Sequence, residues 1–244
     1  MTAPVFFAAA AGFVAGEIVE LSGAEGRHAA RVMRLRPGES VVLTDGAGRS
    51  AHGAVDTVGR DQLTVKVDRV QSHPRPAPRL VVVQAVAKGD RSERAVELLT
   101  ELGVDVVVPW TADRSIVRWT TDRELRALER WRSTARESAK QSRRIWWPEV
   151  ADVAHTADVV RLVEAAAFAV VLHEEATASI SDIALPVSGD VVVVVGPEGG
   201  LTPAELDAFG NGGAVACRLG PTVLRTSTAG AAAAAVLLAR TIRW

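Results

Sequence analysis

Residues 191–195 are five consecutive valines, and they lead directly into a glycine-rich turn. Two similar apolar runs precede them in the chain, RLVVVQAV at 79–86 and VDVVVP at 104–109. Runs without polar alternation are typical of strands that are buried on both faces, as in a parallel sheet covered by helices. A helical pattern separates the first two runs, which gives the strand, helix, strand order of such a sheet. The sequence therefore predicts an α/β fold with a mostly parallel sheet.

Capping signals predict where several helices begin and end. Asp90 and Glu93 have the spacing of N-cap and N3 residues, and Gly103 stands where that helix would end. The segment TDRE at 121–124 predicts a second capping box, for a helix that runs to about residue 143. A third helix is predicted to open with TPAE at 202–205, with its proline at the first helical position.

The first 72 residues have a different character from the rest. Short β-like runs alternate with turns, and one short helix in GAEGRHAARVMRLRPG interrupts them, which predicts a small β-barrel. The segment DGAGRSA at 45–51 superficially matches a dinucleotide-binding fingerprint, but it joins two strand-like runs and opens no helix. SHPRPAPR at 72–79 holds three prolines and is typical of a stiff linker. We therefore predict a barrel domain at 1–72 and an α/β domain at 73–244.

Composition and charge limit the classes of function. The net charge is -1, yet residues 114–144 carry ten basic side chains against four acids. This local excess favours RNA as a partner, although an arginine-rich helix can also be a solvated face. No apolar run is long enough to span a membrane, and the single cysteine, Cys217, suits a reducing cytoplasm. The candidate RNA-binding residues are a cluster of His28, Arg31, Arg34 and Arg36, and a helical stripe of Arg132, Arg136, Lys140 and Arg143 with the adjacent Arg144.

The turn GPEGG at 196–200 follows the valine run at the carboxyl end of a strand, where ligands bind in open α/β sheets. Its proline lacks an N–H group and its glutamate adds negative charge, so a neutral or partly cationic ligand fits better than a phosphate. The segments VLHEE at 171–175 and RLGPTVLRTSTA at 218–229 also follow strand-like runs. Three such strand ends could form one pocket, or the glycines could serve only a tight turn.

Five blocks occur in the order found in a known family: VFFAAAA, HAARVMRLRPGE, AKGDRSERAVELLTELGVDVVVP, RESAKQSRR and VVLHEE, followed by GPEGGLTPAE and LGPTVLRTSTA. With them the chain resembles the bacterial 16S ribosomal RNA uracil-N3 methyltransferases, of the SPOUT class. It departs from that family at Leu98, where lysine is common, and at Ser227, where glutamate is common. The resemblance implies S-adenosylmethionine as methyl donor, no metal, a PUA-like barrel, a deep trefoil knot at the C-terminus, a homodimer, and 16S ribosomal RNA or the small ribosomal subunit as substrate.

The resemblance also implies a set of site residues. Arg225 would position the base or stabilise charge on its carbonyl oxygens, and Glu198 is a weaker candidate for proton acceptor, with loop stabilisation as its alternative role. The donor pocket would be lined by Leu172, His173, Gly196, Pro197, Glu198, Gly199, Gly200, Leu219, Gly220, Leu224, Arg225 and Thr226. Two rival functions stay open, a transfer RNA methyltransferase and a non-catalytic RNA-binding module.

Overall fold

The computed structural model describes residues 3–9, 13–117, 119 and 121–244. These form two compact units. The N-terminal unit consists of Met1–Arg75 together with Ala139–Trp147, and the C-terminal unit consists of Pro76–Ser138 and Pro148–Trp244. The segment 139–147, which we call the return segment, therefore belongs to the N-terminal unit although it lies in the middle of the chain.

One curled, half-barrel sheet forms the body of the N-terminal unit. Its strands are β1 (Val5–Phe7), β2 (Ile18–Leu21), β3 (Ser40–Thr44), β4 (Arg49–Val58) and β5 (Leu63–Ser72). They are arranged in the order β1-β3-β4-β5-β2, with β1 parallel to β3 and the other pairs antiparallel. Two register shifts between β4 and β5 bend the sheet, as β-bulges do. The predicted short helix is present as α1 (Gly23–Arg27), which continues into a π-helical turn at His28–Val32.

The return segment packs on the turn between β3 and β4. The Trp147 backbone N–H donates to the Gly46 carbonyl at 2.9 Å, and the Gly48 N–H donates to the Ile145 carbonyl at 3.3 Å. Gly48 has a positive φ of 97°, and a Cβ built on it would lie 2.2 Å from the Trp146 ring. The turn DGAGRSA opens no helix, as predicted. Instead, the indole rings of Trp146 and Trp147 pack on its glycines.

The C-terminal unit contains a seven-stranded sheet in which every pair of neighbours is parallel. Its strands are β6 (Arg79–Ala85), β7 (Val106–Trp110), β8 (Glu149–Val150), β9 (Phe168–Leu172), β10 (Ala178–Ser179), β11 (Asp190–Val195) and β12 (Val215–Arg218). Their order across the sheet is β10-β12-β9-β11-β6-β7-β8. The predicted parallel α/β architecture is confirmed.

Helices cover both faces of this sheet. They are α2 (Arg91–Leu102), α3 (Thr121–Gln141), α4 (Thr156–Ala165), α5 (Pro203–Asn211) and α6 (Thr226–Leu238). Successive valines of β11 point to opposite faces: Val193 packs with residues of α2, α3 and α6, whereas Val194 packs with residues of α4 and α5. Both valines are fully buried, which is why the run carries no polar residue. No helix in the described ranges is both long and apolar enough to cross a membrane.

The helix ends only partly match the capping predictions. Thr202 and Glu205 form the predicted capping box of α5, and Gly103 ends α2 with a left-handed φ of 100°. The predicted box of α2 is wrong, since the Asp90 side chain makes no cap bond and Glu93 instead pairs with Arg130 at 3.1 Å. The box at 121–124 depends on side chains outside the described residues.

The C-terminal end of the chain is fixed by a buried ion pair. The Arg243 guanidinium donates to Asp105 Oδ2 at 2.6 Å and to the carbonyls of Pro78 and Gly103. Both charged side chains are about nine-tenths buried, with exposures of 9% and 10%. These bonds hold the residues after α6 beside the amino ends of β6 and β7.

Candidate functional site

A cavity of about 300 Å³ lies at the carboxyl ends of β9, β11 and β12. Three loops line it, each following one of these strands, as the sequence predicted. Its lining includes all of the predicted donor-binding residues except Gly199, namely Leu172, His173, Gly196, Pro197, Glu198, Gly200, Leu219, Gly220, Leu224, Arg225 and Thr226.

The glycines of the GPEGG loop have two different tasks. Gly200 adopts a φ of 72°, and its N–H closes the turn by donating to the Pro197 carbonyl at 2.9 Å. Gly199 does not line the cavity; a Cβ there would lie 2.8 Å from the Arg114 carbonyl oxygen. A donor contact by Gly199 stays a prediction, and the absence of a side chain at this residue permits the close approach of two loops.

Glu198 is tied to the loop that follows β6. Its Oε1 accepts from the Lys88 backbone N–H at 3.4 Å and lies 3.8 Å from Arg91 Nη1. These contacts favour the loop-stabilising role over that of a proton acceptor. His173 is similarly engaged, because its Nδ1 accepts from the Glu175 N–H at 3.3 Å.

Glu205 fixes the loop after β7 beside the GPEGG loop. Its carboxylate is 1% exposed and accepts from the Thr202 N–H at 2.8 Å, the Thr202 hydroxyl at 2.9 Å and the Asp113 N–H at 2.9 Å. Arg114, the next residue, donates to the Leu201 carbonyl at 3.3 Å. Burying a carboxylate is costly unless hydrogen-bond donors surround it. Moving the loop after β7 would remove the Asp113 donor from Glu205, so this hydrogen bond holds the loop in place.

The cavity lining carries charges of both signs. Arg218 and Arg225 are exposed, and within the described residues no hydrogen bond or ion pair engages either side chain. Glu174 is exposed on the opposite loop. The cations are thus available to an anionic or carbonyl-bearing substrate, whereas the cavity itself has no excess of positive charge.

Cys217 and several apolar residues also line the cavity, and sequence reasoning missed them. Cys217 is fully buried, and burial raises the pKa of its thiol. The further lining residues are Glu174, Val195, Leu201, Arg218, Thr222, Val223 and Ala229. Each lies within one of the three quoted loops or at the end of its strand, and this proximity was the signal available in the sequence.

The predicted RNA-binding cluster lies around the π-helical turn of the N-terminal unit. Arg31 pairs with Asp61 at 2.6 Å, while the Arg34 and Arg36 side chains are exposed. Arg34 adopts a φ of 51°. His28 is half-buried, with its ring edge-on to that of Phe6. The cluster therefore presents the Arg34 and Arg36 side chains to solvent, whereas Arg31 is engaged by Asp61.

The predicted helical stripe is divided between the two units. In the C-terminal unit, Arg132 pairs with Asp152 at 2.9 Å and Arg136 is exposed. In the N-terminal unit, Lys140 is largely buried in an ion pair with Glu25 at 2.5 Å. Because α3 ends at Gln141 and residue 143 adopts a φ of 56°, Arg143 does not continue the helical stripe as predicted. Arg144 is half-buried and donates to the Trp146 carbonyl at 2.8 Å.

Two family models match the chain. One, described as RNA methyltransferase domain, covers residues 73–238, and another, described as RNA methyltransferase PUA domain, covers residues 21–68. The chain is 48% identical over 233 residues to the ribosomal RNA small subunit methyltransferase E of Mycobacterium bovis, which spans 94% of this chain and 89% of that protein. The protein of the same name from Bacillus subtilis is 31% identical over 217 residues, 86% of this chain and 85% of the relative.

Solved structures give the same result. A putative methyltransferase from Legionella pneumophila, in complex with S-adenosylmethionine, superposes with a TM-score of 0.87 at 26% identity over 99% of both chains. A ribosomal RNA small subunit methyltransferase E from Neisseria gonorrhoeae, bound to S-adenosylmethionine, gives 0.85 at 25% identity over 98% of both chains. The resemblance noted in the sequence is therefore confirmed across nearly the whole chain.

Proposed function

The chain belongs to the RNA methyltransferase family, and we propose that it transfers a methyl group from S-adenosylmethionine to N3 of a uridine in 16S ribosomal RNA. The observation that carries this proposal is the cavity at the carboxyl ends of β9, β11 and β12, in which three family motifs meet. Small-subunit methyltransferases from two bacteria match most of the chain, and a neighbouring structure holds the donor.

The residues that line the cavity suit this donor in their chemistry. A Cβ built on Gly200 or Gly220 would meet no other protein atom within 4 Å, so the backbone there stays open to a ligand. Leu172, Leu219 and Leu224 offer apolar surface for a planar base, and Glu174 supplies negative charge for a cationic ligand. The donor, when bound, supplies an electrophilic methyl group on a sulfonium centre.

The residues of the chain act mainly by positioning and electrostatics. To act as a nucleophile, uracil N3 must give up its proton to a base, and the resulting anion carries negative charge on N3 and on the two flanking carbonyl oxygens until N3 bonds to the methyl group. The Arg225 guanidinium lies at the cavity, where none of the described residues engages it, and it can donate to such an oxygen and stabilise that charge. Glu198 contributes by holding the donor loop, because its carboxylate is already bonded to the loop after β6.

RNA would reach this site through contacts with its phosphates. Arg218 lies beside the cavity, Arg136 lies on α3, and Arg34 and Arg36 follow the π-helical turn; all four side chains are exposed. Such side chains can bind RNA phosphates, which position the RNA without reading its base sequence. The N-terminal unit is proposed as the RNA-binding domain. The trefoil knot, the homodimer and the cytoplasmic location stay predictions, and so does the domain boundary at residue 72.

Nucleoside mass spectrometry tests the proposal. Small ribosomal subunits that lack the modification are incubated with the protein and S-adenosylmethionine, and their RNA is digested to nucleosides. We expect N3-methyluridine to appear. Methylation of another atom would refute the N3 assignment, and methylation of transfer RNA in place of subunits would favour the rival family function. Donor binding without any methylated RNA would refute the proposed substrate.

A further inference from the structure

Gln84 is a polar residue in an otherwise apolar strand. It follows three valines in β6, and it is 1% exposed. Alternation along the strand places it on the same face as Leu80 and Val82, which belong to the core beneath α2 and α6. A buried amide loses its hydrogen bonds to water, so it is tolerated only where the protein supplies partners.

Its partner is the first turn of α6. Gln84 Nε2 donates to the Thr226 carbonyl at 3.2 Å, and also to the Ala85 carbonyl at 3.1 Å. Thr226 in turn donates its hydroxyl to the Gly196 carbonyl at 3.0 Å. The ends of β6 and β11 and the start of α6 are therefore joined through three residues, Gln84, Thr226 and Gly196, which we call the latch.

The same helix lies unusually close to the latch one turn later. A Cβ built on Gly230 would lie 3.2 Å from Gln84 Oε1 and 3.2 Å from Val195 Cγ2. Glycine in a helix interior costs about 1 kcal/mol relative to alanine, so its presence needs a packing reason. Contact with the Gln84 amide and with the last residue of β11 supplies that reason.

The latch joins two walls of the cavity. Gly196 and Thr226 line the cavity, whereas Gln84 lies behind them. Gly196 opens the GPEGG loop, and Thr226 directly follows Arg225, the proposed base-positioning residue. We propose that Gln84 is a positioning residue that holds the GPEGG loop and the start of α6 at a fixed separation. This inference rests on the proposed function, because the separation sets where Arg225 stands relative to the methyl donor.

A positioning role and a purely structural role give different results on substitution. Removing the amide lets the first turn of α6 shift by fractions of an ångström, which affects the alignment of donor and base more than the binding of either. A misplacement of about 1 Å can cost roughly a hundredfold in rate. A residue that only fills the core changes stability, whereas the turnover of the folded protein stays the same.

Gln84→Met tests the role because methionine has a similar shape and no amide. Turnover on small subunits, donor affinity by calorimetry and hydrogen exchange of the amides at 226–230 are measured. We expect the turnover number to fall roughly tenfold or more while the dissociation constant of the donor changes by less than about threefold. Amide exchange in the ligand-free protein should become faster at 226–230.

Val82→Ala is the matched control, since it removes buried volume from the same face of the same strand, two residues further from the cavity edge than Gln84. It should lower the unfolding midpoint and leave turnover within about twofold. Unchanged turnover and exchange in Gln84→Met, or an equal loss of turnover in Val82→Ala, would overturn the proposal.

Gly230→Ala gives an independent perturbation of the latch. Its added methyl group presses on the Gln84 amide without removing a hydrogen bond, so turnover should fall and exchange at 226–230 should rise here as well. If Gln84→Met does not fold, Gly230→Ala still tests whether the latch positions Arg225. Turnover and amide exchange equal to those of the wild-type protein would then refute the positioning role. If the wild-type protein methylates no uridine, the proposed function fails, while the exchange measurements still test the latch.

Discussion

Gly48→Ala should destabilise the N-terminal unit through its contact with the return segment. Gly48 combines a φ of 97° with a hypothetical Cβ position 2.2 Å from the Trp146 ring. The left-handed conformation costs an alanine about 1–2 kcal/mol, and overpacking adds about 1–3 kcal/mol, so the total loss is about 2–5 kcal/mol. A loss of this size is a large fraction of the ~5–15 kcal/mol by which domains are stable.

Urea unfolding followed by tryptophan fluorescence measures this loss. With a slope of roughly 2 kcal/mol per molar urea, the midpoint should fall by about 1–2.5 M. Gly16→Ala is the matched control, because Gly16 lies in the same unit with a φ of 89° and has no atom within 4 Å of the Cβ position. It should show only the conformational part, about 1–2 kcal/mol. Equal losses in the two variants would refute the role of Trp146, and an unchanged midpoint in Gly48→Ala would refute the packing itself.

Three further predictions concern single side chains. Arg225→Ala should abolish turnover while the donor dissociation constant, measured by calorimetry, stays nearly unchanged; equal loss of both would make Arg225 a donor-binding or folding residue. Burial raises the pKa of the Cys217 thiol, so less thiolate is present at neutral pH. The rate of alkylation of the native protein should therefore be low, and it should increase at a higher pH than the rate measured for the urea-unfolded chain. Coincident pH profiles for the two states would contradict this. Arg243→Met should cost about 3 kcal/mol in the free energy of unfolding, because it leaves Asp105 buried without its cation. Ile242→Ser, at a residue that is 97% exposed, should change the urea midpoint little, and an equally small effect of Arg243→Met would show that the pair contributes nothing.

Local signals in the sequence were sufficient for much of the fold. The valines at 191–195 predicted a strand covered on both faces, and their side chains do alternate between two cores. The capping box at Thr202 formed because both of its partners lie within one helical turn. Where the decisive contact is local, composition and spacing identify it.

Predictions failed where a distant residue decided the outcome. Glu93 was expected to cap α2, but it pairs with Arg130, which is 37 positions further along the chain. Lys140 has the spacing of an exposed stripe, yet Glu25 lies beside it and buries it. The two-residue strands β8 and β10 are too short to show any periodicity.

The sequence predicted which three loops would converge on one cavity. Because each loop follows a strand of one parallel sheet, their convergence could be expected from the sheet alone. The sequence could not show that the Gly199 backbone lies close to Arg114, because these residues are 85 positions apart in the chain. Similarly, nothing near Gln84 in the sequence points to Thr226, which is 142 positions away.

The return segment has a consequence for the order of events during synthesis. A chain is translated from its N-terminus, so Met1–Arg75 leaves the ribosome well before Ala139–Trp147. At roughly 5–20 residues per second, the synthesis of residues 76–138 delays the return segment and its two indole rings by several seconds. Until then, no indole ring packs on Gly46 and Gly48, and Glu25 lacks its ion-pair partner Lys140. The N-terminal unit is therefore completed only after Trp147 has emerged, that is, after a large part of the C-terminal unit has already been made.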